Sequence, residues 1–400
     1  MVTVDPSLLR NVNVGDCEKV SMELESEGIS RILTGHRWRC LAPDGLNSWN
    51  QSLGWFAGGV CRCIARHIGT DKHVGWFKVA ERACSTLSPG DVDVILVSGS
   101  PFGAFRLAKR LSDRLGSPYV LDYRDPWTGN PHANRPVRRA TIREEKSLLQ
   151  GCAAVTIVSP SWGADLDRRF GVAEKLRVIT NGYDSGEMAA IKPYDFDHCA
   201  IVYTGDFYPP KRVISPFLAA LKRLEESLDE SSSRWYFHYY GTQEQHVREQ
   251  AVRFGLNDRI VLHGRVSRQE ALSAVKGARL AVVVTSIDEQ GSFEDKGIVT
   301  GKIFEAIGLG TPVLLIAPNG SDATAITATT GLVKSFTGTD IQGMVSFLKD
   351  VMCGRAPKPK NTEVCAWTTI SKNLDAVLRS AILVATHDVF PENDGNSKLE

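Results

Sequence analysis

The sequence predicts an α/β protein of two facing Rossmann-like halves, each a doubly wound parallel sheet. Three observations carry that expectation. Near-continuous apolar runs such as VDVILVS (92–98), AIVYT (200–204) and LAVVVT (280–285) read as buried strands. Each run ends in a turn signal and is followed by an amphipathic helical stretch, the alternation of a parallel sheet with crossover helices. The chain also has 400 residues, more than one core usually holds, so two domains of about 150–200 residues are expected.

Taken in order, residues 1–90 carry the weakest signal. VTV (2–4) is a short strand, Trp38, Trp49, Trp55 and Trp76 sit among glycines and charged residues, and helices are expected only near 50–67 and 73–87. From 92 the pattern sharpens. Strand 92–98 ends at Gly99-Ser100-Pro101 and leads into the helix FGAFRLAKRLSDRLG; PYVLDY (118–123) ends in Arg124-Asp125-Pro126-Trp127. A helix over 138–150, the strand 153–159, the helix SWGADLDRRFG and the strand 176–180 complete a first domain, 1–191. Lys192 to His198, with Pro193, reads as a linker.

The second domain, 199–365, alternates strands 200–204, 235–240, 259–263, 280–285 and 312–317 with helices 213–227, 243–254, 267–276 and 302–309, followed by a helix near 338–353. The segment GRAPKPKNTEV is too rich in Pro and Lys for a core. SKNLDAVLRSAILVA (371–385) is a last amphipathic helix within 366–385, and the tail 386–400 has the composition of an unstructured segment.

Composition excludes several classes. With 47 basic against 46 acidic side chains, there is no electrostatic case for wholesale nucleic-acid binding. No apolar run reaches the roughly 18–20 residues that span a bilayer, and no signal pattern opens the chain, so a cytoplasmic protein is expected. Nine cysteines are scattered without a Cys-x-x-Cys pair, and neither a metal nor a disulfide is assigned.

The functional reading centres on Ile298 to Pro318, IVTGKIFEAIGLGTPVLLIAP. Thr300-Gly301-Lys302 opens a short helix, whose unpaired N–H groups and partial positive charge suit a phosphate. Gly301 admits close backbone approach, Lys302 adds a full charge, and Glu305, one turn on, suits a sugar or ribose hydroxyl. The alternative is an ordinary helix with a solvated Lys. Gly205 ends the first strand of the second half in YTGDFYPPKR, and Lys211 with Arg212 follows at a helix start, where two cations suit a diphosphate that gains charge as it leaves.

Gly205 with a cation six residues on, His263-Gly264-Arg265-Val266-Ser267-x-x-Glu270, and Gly301-Lys302-x-x-Glu305-Ala306-x-x-x-Gly310-x-Pro312-Val313 together resemble family 4 glycosyltransferases of GT-B fold. LDYRDPW, the IVSPS strand end and VITNGYD (178–184) are similar to the same family, particularly its bacterial surface-polysaccharide branch. The resemblance covers most of 90–385. It implies a retaining transfer from a nucleotide-diphosphate sugar to a glycan or lipid-linked acceptor, with no metal or other cofactor, by a cytoplasmic protein with peripheral contact at the inner face of the membrane. The last helix would cross back onto the first domain.

Residue by residue, the resemblance places Lys211 on the diphosphate with Arg212 beside it, Gly205, Gly301 and Lys302 around the phosphates, Glu305 on ribose, and Arg265 and Val266 along the base. Arg124 and Asp125 would face donor sugar and acceptor, and with Lys211 they form the expected catalytic set. The leaving diphosphate itself would help deprotonate the acceptor.

Three departures qualify this expectation. Gly297 stands where the first Glu of the family's Glu-x7-Glu should read the donor sugar, with Glu294 and Asp295 as substitutes if the loop bends. Asp206 stands where many relatives have Arg. VTVDPSLLR looks like the end of a second strand, so the family's opening strand and Gly-rich loop are expected to be missing. Two alternatives therefore stand: a degenerate GT-B protein that binds nucleotide or a partner transferase without turnover, and a nucleotide-sugar epimerase. Among other residues, His36-Arg37-Trp38-Arg39 and the run Arg135, Arg138, Arg139, Arg143 are read as solvated or membrane-docking. Trp127 is a sugar platform or core, His263 is a satisfied neighbour, and Asp165, Asp167, Arg168 and Arg169 are surface.

Overall fold

Both halves contain the parallel sheet that the apolar runs predict. The computed structural model describes residues 2–4, 26, 28, 30, 32–34, 74–99, 101–130, 137–227 and 234–389. The expected helix near 50–67, the tryptophans at 38, 49 and 55, the basic cluster at 36–39 and Arg135 lie outside those residues.

In the first half, β1 (Val2–Val4) and β2 (Ile32–Thr34) pair in parallel. Then come α1 (Val74–Ala83), β3 (Ile95–Gly99), α2 (Gly103–Leu115), β4 (Tyr119–Tyr123), α3 (Arg139–Gly151), β5 (Ala154–Ile157), α4 (Pro160–Phe170) and β6 (Leu176–Val178). The last four strands form one sheet in the order β3-β4-β5-β6. Every residue of β4 is buried, as its unbroken apolar pattern requires. Trp76, Ala80 and Cys84 of the α1 region pack against Ala104, Leu107 and Leu111 of α2.

The second half begins with α5 (Ser185–Ala190) and β7 (Cys199–Thr204). It continues through α6 (Ser215–Ser227), β8 (Trp235–Tyr240), α7 (Glu244–Phe254), β9 (Ile260–Gly264), α8 (Arg268–Gly277) and β10 (Leu280–Val284). The last elements are α9 (Phe293–Lys296), α10 (Gly301–Gly308), β11 (Val313–Ile316), α11 (Asp322–Thr327), β12 (Val333–Phe336), α12 (Ile341–Met352) and α13 (Trp367–Val389). Six parallel strands run in the order β12-β11-β10-β7-β8-β9. The chain winds outward from β7 to β9 and then returns to the other side of β7, where Leu280 pairs with Ile201 and Ala281 with Val202. This reversal is the topological switch point, beyond whose carboxyl ends α/β sheets bind ligands.

The sequence reading omitted α5, α9, α11, β2 and β12. The three helices have six, four and six residues, too short to show a helical period. In β12, VKSF, at the sheet edge, Lys334 is exposed and Ser335 half-buried, and the two polar residues break the apolar run.

The chain separates into two units, one of Met1–Thr156, Val172–Arg177 and Val377–Glu400 and one of Ile157–Gly171 and Val178–Ala376. The expected boundary at 191 is thus displaced. Tyr183, Met188 and Ile191 are buried with Ile307 and Leu309 in the second core, which draws α5 into that unit. Lys192–His198 is non-repetitive chain, strapped to α8 by the Ser273 hydroxyl on the Lys192 carbonyl and by Tyr194 N on the Ser273 carbonyl. α13 is longer than the expected helix at both ends and runs into the segment read as an unstructured tail; residues 390–400 lie outside the described part. Beyond Val377 the helix belongs to the first unit, where Ala381 is buried with Val120 and Ala154.

Candidate active site

At the end of β7, Gly205 has φ +100°, a left-handed conformation that favours glycine, and its N–H donates to the Tyr240 carbonyl at 2.6 Å. A Cβ at this position would lie 1.8 Å from Lys302 Nζ. The missing side chain lets that lysine fold across the turn. Lys302 enters from α10, whose N-cap, Thr300, accepts from the Lys302 N–H through its side chain. Its Nζ lies 5.5 Å from the centre of the Tyr203 ring, and no hydrogen bond or ion pair from the described residues reaches it. Burial, and then the neighbouring Arg212 charge, push this ammonium down to about 8.

Arg212 brings a second cation, partly satisfied by Tyr203. It is half-buried, its guanidinium lies 5.1 Å from the Tyr208 ring centre, and its Nε is buried without a hydrogen-bond partner among the described residues. Gly301, the first residue of α10, is exposed, and a Cβ there would meet nothing within 4 Å. The helix start is therefore open at Gly301, while the next two N–H groups, of Lys302 and Ile303, donate to Thr300.

Lys211 differs from both. It is exposed and ion-paired at 2.5 Å with Asp295, whose bond holds its ammonium above the ordinary lysine value. Asp295 is buried and accepts from the Ser292 N–H at 3.1 Å and the Ser292 hydroxyl at 2.9 Å, closing the capping box of α9. Burial pushes its carboxyl up, but Lys211 and Ser292 outweigh that and hold it below the usual carboxylate range.

The nucleoside side of the sequence reading falls on α8 and α10. Glu305 accepts from Arg268 Nη1 at 2.5 Å, and Arg268 also seats two donors on Glu187. Those bonds, Glu187 first, raise the guanidinium above its ordinary value. Arg265 is exposed, while Val266 packs against the second core. Lys302, Glu305, Arg268 and Thr204 share a cavity of about 230 Å³ with apolar residues of β7, α8 and β10, at the switch point of the sheet. His263 stacks on Tyr240 with ring centres 4.0 Å apart and shares a 2.9 Å hydrogen bond with His238. His238 is pushed down to about 4 by burial and then by its two histidine neighbours.

The departure at Gly297 has a basis in packing. Gly297 is buried beneath Trp162 of α4: a Cβ would lie 2.2 Å from Trp162 Cδ1, and the indole N–H donates to the Glu294 carbonyl at 2.9 Å. An aromatic ring thus fills the space where a carboxylate was sought. Asp295 is buried and held through Oδ2 by Lys211 and by both the N–H and the hydroxyl of Ser292. Asp206 accepts from Thr242 N–H at 2.8 Å and so ties the β7 and β8 loops together.

In the first unit, Arg124 and Asp125 follow β4. Arg124 lies 3.5 Å from Asp122, a buried carboxylate that also accepts from Ser98 and Thr156, and Asp125 is exposed. Trp127 stacks on Phe102 with ring centres 5.3 Å apart and planes 7° from parallel, a packing role. Arg138, the N-cap of α3, and Arg139 and Arg143 on the helix are exposed. Asp165, read as a surface residue, is buried and pairs with Arg168 and Arg169.

The family model described as Glycosyltransferase Family 4 matches residues 35–187, and that described as Glycosyl transferases group 1 matches 198–345. The chain is a glycosyltransferase. Its fold is similar to sucrose-phosphate synthase from Thermosynechococcus elongatus, at 13% identity and TM-score 0.56 over 97% of each chain. A glycosyltransferase from Rickettsia africae ESF-5 is similar at 14% identity and TM-score 0.52, covering 93% of this chain and 88% of that one. Anabaena Alr3699/HepE in complex with UDP is similar at 14% identity and TM-score 0.50, with the same coverage. No curated protein matches the sequence significantly. The glycosyltransferase has the GT-B arrangement of two parallel-sheet α/β halves, and no helix among its described residues is long and apolar enough to cross a membrane.

Proposed function

We propose that this glycosyltransferase moves a sugar, with retention, from a nucleotide-diphosphate donor to a glycan or lipid-linked acceptor of surface-polysaccharide synthesis. The observation that carries the donor half is the unpaired, largely buried ammonium of Lys302 beside Arg212 Nε. A protein holds such a charge without a partner at a cost, and a ligand of opposite charge removes that cost. The exposed start of α10 at Gly301 and the partial positive charge of that helix end favour the same anion.

In this reading Lys302 and Arg212 take the diphosphate as it gains charge on leaving, and Lys211 joins them from its pair with Asp295. Their positive charge does what a metal would otherwise do, so donor binding should persist in EDTA. Glu305 holds ribose, and Arg265 and Val266 lie along the base. Arg124 and Asp125 keep the roles toward sugar and acceptor that the resemblance assigns. The leaving diphosphate accepts the acceptor's proton. Exposed Arg138, Arg139 and Arg143 suit a peripheral contact with an anionic membrane at its cytoplasmic face.

The test is a calorimetric titration with UDP, GDP and ADP in EDTA. UDP is tried first because HepE holds it. One nucleotide should bind saturably, and Lys211→Ala should weaken it by roughly tenfold, as loss of one charge-assisted contact does. A well-folded protein that binds none of the three would sink the donor assignment.

A further inference from the structure

Arg268 was not among the residues that the sequence singled out, yet it connects three elements of the site. It opens α8 directly after the N-cap Ser267, whose hydroxyl accepts from the Glu270 N–H at 3.2 Å. Its guanidinium donates through Nε and Nη2 to the two oxygens of Glu187, at 2.7 and 3.0 Å, and through Nη1 to Glu305 Oε1 at 2.5 Å. A guanidinium is a rigid planar fork. With two donors seated on one carboxylate, the direction of the third is fixed.

Glu187 is itself braced. Its N–H donates to Asp184 at 2.6 Å, and α5 is anchored by the buried Met188 and by Lys276 Nζ on the carbonyls of Met188 and Ile191. The orientation of Arg268 is thus inherited from a core-anchored helix. At the other end, Glu305 Oε2 has no hydrogen bond from the described residues, and Arg268, Glu305 and Lys302 line one cavity.

We propose that Arg268, braced by Glu187, is a positioning residue for nucleoside recognition: it fixes Glu305 so that Oε2 meets a ribose hydroxyl. The inference rests on the reading of Glu305 as the ribose ligand. Arg268 is more than half exposed, with 57% of its side chain accessible, so its ion pairs contribute little to stability. Preorganising a binding group, by contrast, acts directly on affinity.

The experiment compares the full chain with Arg268→Gln, Glu305→Gln and the double variant, titrated with UDP, GDP and ADP and separately with inorganic pyrophosphate. The expected result is a loss of roughly tenfold in affinity for the bound nucleotide in Arg268→Gln, with pyrophosphate affinity and Tm unchanged. In the Glu305→Gln background the second substitution should add nothing, because Arg268 acts through Glu305. Additive losses, an equal loss for pyrophosphate, or nucleotide affinity unchanged in Arg268→Gln would each overturn the inference. Failure of the unsubstituted chain to bind any nucleoside diphosphate would overturn the donor-site reading as well.

Discussion

Lys302 pairs function against stability at a single residue. Its ammonium has an ordinary value of 10.5 and is pushed down to about 8, a difference equivalent to roughly 3 kcal/mol against the charged form in the folded state. The sign follows from proton counts. Between pH 8 and 10.5 the unfolded chain binds more protons at this group, so its contribution to stability rises with pH across that window, and at pH 7 the full cost is present. Lys302→Met should therefore raise Tm at pH 7, by roughly 1–3 kcal/mol of stability, while removing diphosphate binding. In the unsubstituted protein, binding above pH 8 should take up a proton, measurable by calorimetry in buffers of different ionisation enthalpy. No proton uptake there, or a variant that binds normally, would mean that Lys302 does not meet the phosphate. Lys302, Gly205 and Glu305 were legible in the sequence because each sits at a recognisable turn or helix start. The pairing of Asp295 with Lys211 and the place of Arg268 were not, because they depend on partners 84 and 81 residues away, Lys211 and Glu187.

Among the elements, the strands were the easiest to read and the shortest helices the hardest. Strands β7, β8 and β10 announce themselves by continuous apolar runs, whereas α9, only four residues long, is defined by the Ser292–Asp295 capping box and by what packs on it. That packing explains Gly297. Its φ of −75° suits any residue, so the glycine is required by the Trp162 ring and not by backbone strain. Restoring the family's carboxylate with Gly297→Glu should drive a side chain into a rigid indole and cost roughly 2–4 kcal/mol, seen as a lower denaturant midpoint. Ser292→Ala, which removes the cap but leaves that contact alone, should cost only about 1 kcal/mol. Equal stability of Gly297→Glu and the unsubstituted protein would show that Trp162 moves aside readily, reopening the sugar site to a carboxylate.

For the molecule as a whole, alternating runs revealed two parallel-sheet units but not where the chain divides between them, because core membership depends on contacts rather than on order along the chain. α5 precedes the linker yet joins the second unit, and α13, the last helix, contributes to both. Val377, Leu378 and Ala381 cover Val120 of β4 and Ala154 of β5, of which Val120 is fully buried. A chain ending at Ala376 would expose that apolar surface, at a cost of roughly 2–4 kcal/mol to the first unit. The second unit keeps every residue assigned to the donor, from Gly205 to Glu305, on the near side of the cut. The shortened chain should thus unfold in two steps, the earlier one belonging to β3–β6, while its nucleotide affinity stays within a few-fold of the full chain. Hydrogen exchange resolved by segment would show which unit opens first. Loss of nucleotide binding together with the β4 and β5 amides would mean that the donor site depends on the first unit, and that the two do not fold as separable bodies.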